Sequence, residues 1–146
     1  PLGPAVNVRA YSHWLGESAV AVFGPADRAA ALRRDFPRCL ADEPLLLPAE
    51  NCAIRRALNQ WLLARGISPR IAGQFEDSAL MAVFAASGMG VFPIGRLGSD
   101  GLGHLPGLRG LRRLGTCEGV NEEVHAIRSR RGLQHPLVAR LMEPGR

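Results

Sequence analysis

Two adjacent carboxylates and a hydroxyl form the group of side chains with the clearest chemical potential in this chain. Glu76, Asp77 and Ser78 follow a predicted strand at residues 70–75 and precede a predicted helix at residues 79–87. Ligands of open α/β sheets bind where strands end and helices begin. The free amides of a helix N-terminus favour an anionic ligand, whereas two adjacent acids favour a cation with oxygen ligands. Simple capping of the helix by Asp77 or Ser78 is the alternative without a ligand.

The other reactive side chains are scattered, and their spacing argues against several kinds of site. Three cysteines, Cys39, Cys52 and Cys117, form no C-x-x-C pair, which favours reduced thiols over a disulfide framework or a zinc site. The histidines are equally dispersed, and neither H-E-x-x-H nor G-x-S-x-G occurs. We therefore expect no catalytic residue, no metal site and no cofactor. A second acidic cluster, Glu118 with residues 122–123, is predicted to lie in an exposed loop.

Composition indicates an ordinary globular domain. The 146 residues include 18 basic residues, all arginine, and 13 acidic ones, and 47% of the chain is hydrophobic. The absence of lysine is typical of a GC-rich genome, so the net charge of +5 is weak evidence for a nucleic-acid partner. No apolar run is long enough to span a membrane, which predicts a cytoplasmic chain without a membrane partner. Because the chain begins with Pro1, we expect it to be part of a longer protein.

Strands and helices are predicted to alternate, as in an α/β sheet with mostly parallel pairing. Extended stretches at residues 6–11 and 19–23 are separated by a turn-like segment at residues 16–18. Later strands are expected at residues 45–47, 70–75, 91–94, 111–115 and 124–129. Helices are expected at residues 25–34, 51–65 and 79–87, with a last one beginning near His135. The helix at residues 79–87 is apolar nearly all round, which predicts that it is buried.

The helix at residues 51–65 has the clearest periodicity. Asn51 is a suitable N-cap, and Gly66 a suitable left-handed end. One face is apolar and is predicted to be buried, with Ile54, Leu58, Trp61 and Leu62. The opposite face is predicted to be solvated, with Arg55, Arg56, Asn59 and Gln60.

Several phrases resemble the effector-binding domain of LysR-type transcriptional regulators. Residues 73–93, G-Q-F-E-D-S-A-L-M-A-V-F-A-A-S-G-M-G-V-F-P, resemble its alanine-rich helix that leads through glycines into a strand ending at proline. The helix at residues 51–65 is similar too. F-E-D-S-A-L-M, V-N-E-E-V-H-A-I and L-Q-H-P-L-V resemble the NhaR-type subgroup, which activates sodium/proton antiporters.

The resemblance implies an α/β fold like that of type 2 periplasmic binding proteins. Residues 24–118 would form mainly the second regulatory subdomain, and residues 1–23 and 119–146 would be partial elements of the first. The winged helix-turn-helix that binds DNA has no counterpart in these residues, so DNA would be reached only through an N-terminal domain outside them. Residues 6–10 and 137–141 would then be exposed or paired with another copy.

The resemblance also implies a sensory module that binds a small effector in a cleft and assembles as a homodimer or tetramer. By position, the residues facing the cleft would be Glu50, Asn51, Glu76, Asp77, Ser78, Phe92 and Pro93. The subgroup implies sodium or lithium as the signal, with Glu76 or Asp77 as a contributor. A fragment of a solute-binding protein or of a small α/β catalytic domain is the alternative function.

Overall fold

Strands and helices alternate along the chain, as the sequence pattern predicts. The computed structural model describes residues 10–104, 106–129 and 132–133. In chain order the elements are β1 (Ala10–Pro25), α1 (Ala26–Arg34), β2 (Pro44–Pro48), α2 (Ala53–Ala64), β3 (Arg70–Phe75), α3 (Ser78–Ala86), β4 (Phe92–Gly95), α4 (Arg96–Leu102), β5 (Leu111–Ser129) and β6 (Gly132–Leu133). Short 3-10 turns cover Arg38–Ala41 and Pro106–Leu108.

The chain divides into two compact units. The larger one, Ala19–Glu122, contains the helices α1–α4 and the strands β2–β4. The smaller one combines the residues before Ala19 with those after Glu122, and its described part includes the antiparallel pair of β5 and β6. Strands β1 and β5 each run from one unit into the other. The subdomain boundaries at residues 24 and 118 that the family resemblance implies stay a prediction.

Two long strands replace four shorter ones that the sequence predicted. Strand β1 continues through the expected turn at Gly16, whose φ of 123° is open to glycine because it has no Cβ. Strand β5 likewise continues through Gly119, with φ of 84°. The prediction of a break in each strand was wrong, because each glycine adopts a positive φ with which the strand continues irregularly and does not end. The acidic cluster at residues 118–123 consequently lies within β5 and not in a loop.

The strand pairing is mixed, so the expectation of mostly parallel pairing was also wrong. Strands β2 and β3 are parallel, whereas β4 is antiparallel to β1, with Phe23 opposite Phe92 and Val20 opposite Gly95. Strand β6 is antiparallel to β5. The sequence shows where extended segments lie, but chain direction depends on the connections between them.

Strand β2 packs on both of its faces. Leu45 and Leu47 belong to one buried cluster, with Leu58 and Trp61 of α2, while Leu46 belongs to a second cluster, with residues of α3 and β4. This explains the unbroken leucine run, because a strand covered on both faces needs no polar alternation. The predicted strand at residues 45–47 and the predicted burial of Trp61 are confirmed.

Backbone hydrogen bonds join β2 to the residue that precedes β4. The amide of Leu46 donates to the Val91 oxygen at 2.8 Å, and the amide of Val91 donates to the Pro44 oxygen at 2.9 Å. Gly90 lies against this junction, since a Cβ there would stand 2.5 Å from the Pro44 oxygen. The close approach of the two backbones therefore requires glycine.

Helices α2 and α3 differ from their predicted burial and capping. The N-cap of α2 is Cys52 rather than Asn51, and Gly66 ends the helix with φ of 69°, as predicted. Helix α3 buries only one face, because Leu80 and Val83 are about half exposed, at 48% and 51%. The prediction of a helix buried all round was wrong, since an apolar composition does not by itself supply neighbours on every side.

Some predictions fall outside the described residues. They concern the last helix near His135, the apolar residues 137–141 and residues 6–9 of the first extended stretch. Within the part that is described, no helix has the length and apolar character needed to cross a membrane.

We predict that Gly90→Ala destabilises the chain by about 2 kcal/mol, because the new methyl group overlaps the Pro44 oxygen and forces a backbone shift. Gly110→Ala is the matched control, since a Cβ there meets nothing within 4 Å. Urea unfolding of both variants measures the difference. Equal midpoints would contradict the close approach of β2 and Gly90.

Candidate functional site

A cavity of about 160 Å³ opens in the larger unit beside the first turns of α2 and α3. Strand β2 ends at this cavity with Pro48, β3 ends there with Phe75, and β4 and β5 supply its remaining walls. The described residues that line it are Pro48, Cys52, Ile54, Phe75, Glu76, Ser78, Met81, Pro93, Ile94 and Glu122. This cavity, called the acidic cavity below, lies where strand ends meet helix starts, a common position for ligand sites in α/β proteins.

The structure brings together some of the residues that the sequence singled out and separates others. Glu76, Ser78 and Pro93 line the acidic cavity. Glu50 and Asn51 are exposed just before α2, and neither is among the described lining residues. Phe92 is 2% exposed and lines a different cavity. The assignment of all seven residues to effector binding stays a prediction.

Asp77 serves as the N-cap of α3. Its Oδ1 accepts from the amide of Ala79 at 2.8 Å and from the amide of Leu80 at 3.4 Å. These bonds satisfy two of the amides that a helix start leaves unpaired. The capping interpretation is therefore correct for Asp77, while its neighbours Glu76 and Ser78 are the residues that line the cavity.

Glu122 is a residue that sequence reasoning missed. It lies on β5, is half-buried and lines the acidic cavity, and burial raises its pKa above the ordinary value of 4.5. The signal was present in V-N-E-E-V, because a continued strand places Glu122 two residues after the buried Val120. A loop has no such alternation, so the expectation of a loop did not predict the burial of Glu122.

The electrostatic character of the cavity follows from its lining. Glu76 and Glu122 contribute carboxylates and Ser78 contributes a hydroxyl, while none of the described lining residues is basic. Such a set of oxygen donors suits a cation better than an anion. Across the described residues, no group of three or more histidines, cysteines, aspartates or glutamates is arranged to hold a metal ion. A cation in this cavity would therefore have few carboxylate ligands from the described residues.

A buried arginine holds the strand ends next to this cavity. Arg55 is 4% exposed, and its Nη1 donates to the Pro48 oxygen at 2.9 Å and to Gln74 Oε1 at 2.7 Å. Its Nε donates to Asn59 Oδ1 at 3.1 Å. The prediction that Arg55 lies on the solvated face of its helix was wrong, because this side chain reaches across the ends of β2 and β3.

The cysteines are free thiols, as predicted. Desolvation by burial raises the pKa of Cys39 to about 11 and that of Cys117 to about 12. Both thiols are therefore protonated and unreactive at neutral pH. Cys52 is half-buried and lines the acidic cavity at the start of α2.

The family of the chain follows from comparison with known proteins. The model of the LysR substrate binding domain family matches residues 8–143. The chain belongs to this family. The transcriptional activator protein NhaR of Escherichia coli (strain K12) is 33% identical over 108 residues, which are 74% of this chain and 35% of that protein. The chain thus spans about a third of the length of this curated relative.

Solved structures have the same fold. The cofactor-binding domain of the Cbl transcriptional regulator superposes with a TM-score of 0.61 at 18% identity, over 91% of this chain and 57% of that one. A histidine kinase sensor domain with similarity to periplasmic binding proteins gives a TM-score of 0.55 at 15% identity, over 91% of this chain and 59% of that one. The predicted α/β fold of the type 2 periplasmic-binding-protein class is confirmed.

We predict that Asp77→Ala lowers the free energy of unfolding by about 1 kcal/mol, because two amides of α3 lose their acceptor. Asp77→Asn keeps an acceptor oxygen and should recover most of the loss. Ser78→Ala, one residue further, should change stability by less than about 0.5 kcal/mol. Denaturant midpoints at unchanged slope provide the measurement, and a neutral Asp77→Ala would refute the capping role.

We further predict a pH-dependent effect of Glu122. Its raised pKa means that the folded chain keeps a proton that the unfolded chain has released, so stability falls as pH rises from 4.5 through the raised pKa. Glu122→Gln should therefore be more stable than the parent chain above this window and equal to it below pH 4.5. Glu118→Gln, at an exposed position of the same strand, is the control. A stability difference that does not change with pH would contradict the burial of this charge.

Proposed function

We propose that this chain is the effector-binding module of a LysR-type transcriptional activator and that the acidic cavity is its ligand site. The main support for the proposal is that one cavity at the strand ends is lined by Glu76, Ser78 and Glu122. Membership of the family supports a sensory role, and the activator among its relatives supports positive regulation. The chain performs no chemistry in this role, because a sensor needs only to bind its ligand differently in two states.

Strand β5 offers a physical route from the ligand to the rest of the regulator. Glu122 lies at the end of the larger unit, and the same strand continues into the smaller one. A ligand that binds the Glu122 carboxylate therefore acts on a strand common to both units. In our proposal, binding favours one relative placement of the two subdomains, and this population shift is transmitted to the DNA-binding domain.

The remaining parts of the function belong to the whole protein. In the proposed regulator, a winged helix-turn-helix outside these 146 residues contacts DNA, and effector domains associate as homodimers or tetramers. Family membership and the activator relative support this arrangement. The chain itself contributes sensing and not operator contact.

We propose sodium or lithium as the signal. The resemblance to NhaR supports this choice, and the lining of the cavity supports it independently, because small hard cations bind carboxylate and hydroxyl oxygens. We propose Glu76 and Glu122 as the carboxylates that bind the cation, because both line the cavity, whereas Asp77 caps α3. Bound cation would also relieve the unfavourable burial of the Glu122 charge.

Thermal unfolding in chloride salts of equal ionic strength tests this proposal. If sodium binds with a dissociation constant of about 10 mM, about 100 mM sodium stabilises the chain by about 1.4 kcal/mol, or about 4 °C in Tm, relative to choline. Glu76→Gln and Glu122→Gln should each abolish the sodium-specific increase, while Glu118→Gln should keep it.

Two results would overturn the sodium proposal. One is an equal Tm of the parent chain in sodium, lithium and choline chlorides. The other is sodium-dependent activation that persists in the full-length regulator after alanine replaces both Glu76 and Glu122. A third result separates the ligand site from the identity of the signal. If the chain does not respond to sodium but binds an organic cation, and Glu122→Gln abolishes that binding, the acidic cavity is a ligand site and only sodium is rejected as the signal.

A further inference from the structure

A second cavity, of about 170 Å³, lies between strands β1, β4 and β5 and the segment that follows α4. Its walls are mainly apolar, with Phe23, Phe92, Ile94 and Leu108 among the lining residues. The rings of Phe23 and Phe92 pack against each other at a tilt of 39°, with centroids 6.1 Å apart. Phe23 is half-buried and Phe92 is buried, so Phe23 supplies most of the accessible aromatic surface. An apolar cavity of about 150 Å³ holds one benzene molecule, so this one has room for a single substituted ring.

The charge at the rim of this cavity is opposite to that of the acidic cavity. Arg109 lines it and is exposed, and no ion pair of its guanidinium occurs among the described residues. The segment of residues 96–113, which supplies Arg109 to this lining, contains four arginines and one acid, namely Arg96, Arg109, Arg112, Arg113 and Asp100. A ligand with one negative charge would find a favourable potential at this rim and an apolar surface behind it.

The two cavities are separate but adjacent. Ile94 is the one residue shared by their described linings, and it belongs to the same buried cluster as Met81 of α3. Helix α4 packs closely on Ile94, because a Cβ at Gly98 would stand 3.0 Å from it. A ligand in the second cavity would therefore press on a side chain that also bounds the acidic cavity.

We propose that this second cavity is a binding site for a small aromatic carboxylate, with its ring against Phe23 and Leu108 and its carboxylate at Arg109. An aromatic ring satisfies the shape and the apolar lining, and a carboxylate pairs with a guanidinium through two parallel hydrogen bonds. This site differs from the proposed sodium site in its charged residue, since it uses Arg109 and neither Glu76 nor Glu122.

Titration of the 146-residue chain with potassium benzoate, followed by backbone and methyl resonances in solution NMR, tests the proposal. We expect saturable shifts at Ile94 and Leu108 with a dissociation constant in the millimolar range or below. Arg109→Gln should weaken benzoate binding about tenfold and leave binding of neutral benzyl alcohol unchanged. Arg70→Gln, at an exposed position of β3, is the charge control and should bind benzoate as the parent chain does.

Filling the cavity supplies a second variant. Ser99 lines it, and its Oγ donates to the Arg96 oxygen at 2.8 Å. Ser99→Leu should abolish benzoate binding by occupying the space. Ser87→Leu is the matched control, because Ser87 makes the same bond to the Phe84 oxygen at 2.7 Å but lies away from the cavity. If the two variants have equal Tm values, loss of benzoate binding by Ser99→Leu is not caused by unfolding.

Three results would overturn the proposal. They are the absence of saturable shifts with benzoate, binding that both Arg109→Gln and Ser99→Leu retain, and shifts centred on Glu76 and Glu122 in place of Leu108. Failure here leaves the sodium proposal intact, because the two sites are tested with different ligands and different variants.

Discussion

The buried guanidinium of Arg55 is the interaction on which the rest of the larger unit depends. It holds helix α2 against the ends of β2 and β3 through the Pro48 oxygen and Gln74 Oε1, while Asn59 of the same helix accepts from its Nε. No carboxylate in the described chain pairs with it. A charge removed from water without a counter-ion is unfavourable unless its hydrogen bonds are well made. The geometry of three elements is therefore set together, because moving any one of them leaves a buried donor unpaired.

The acidic cavity is a consequence of this arrangement. Arg55 fixes the Pro48 oxygen and the residue before Phe75, and both Pro48 and Phe75 line the cavity. The cap at Asp77 sets where α3 begins and so where Glu76 and Ser78 stand. The site is thus built from strand ends and helix starts held by short-range bonds rather than from a long loop. Side chains held by such bonds have little freedom to move, which is a general requirement of a selective ligand site.

Two cavities of opposite electrostatic character lie in the larger unit. The first combines carboxylates and a hydroxyl, and the second combines aromatic rings with an arginine. Ile94 lines both cavities. Because close-packed interiors transmit strain, a ligand in either cavity would displace a side chain that also bounds the other.

Local patterns determined much of this protein from sequence alone. The apolar periodicity of α2, the leucine run of β2, the acids before α3 and the family resemblance are properties of neighbours along the chain, and each appears in the structure or the comparisons. Only the tertiary structure decided the continuity of β1 and β5, the burial of Arg55 and the place of Glu122 in a cavity. These depend on contacts between segments far apart in sequence, and a local pattern cannot specify which partner will cover a strand, accept from a guanidinium or surround a carboxylate.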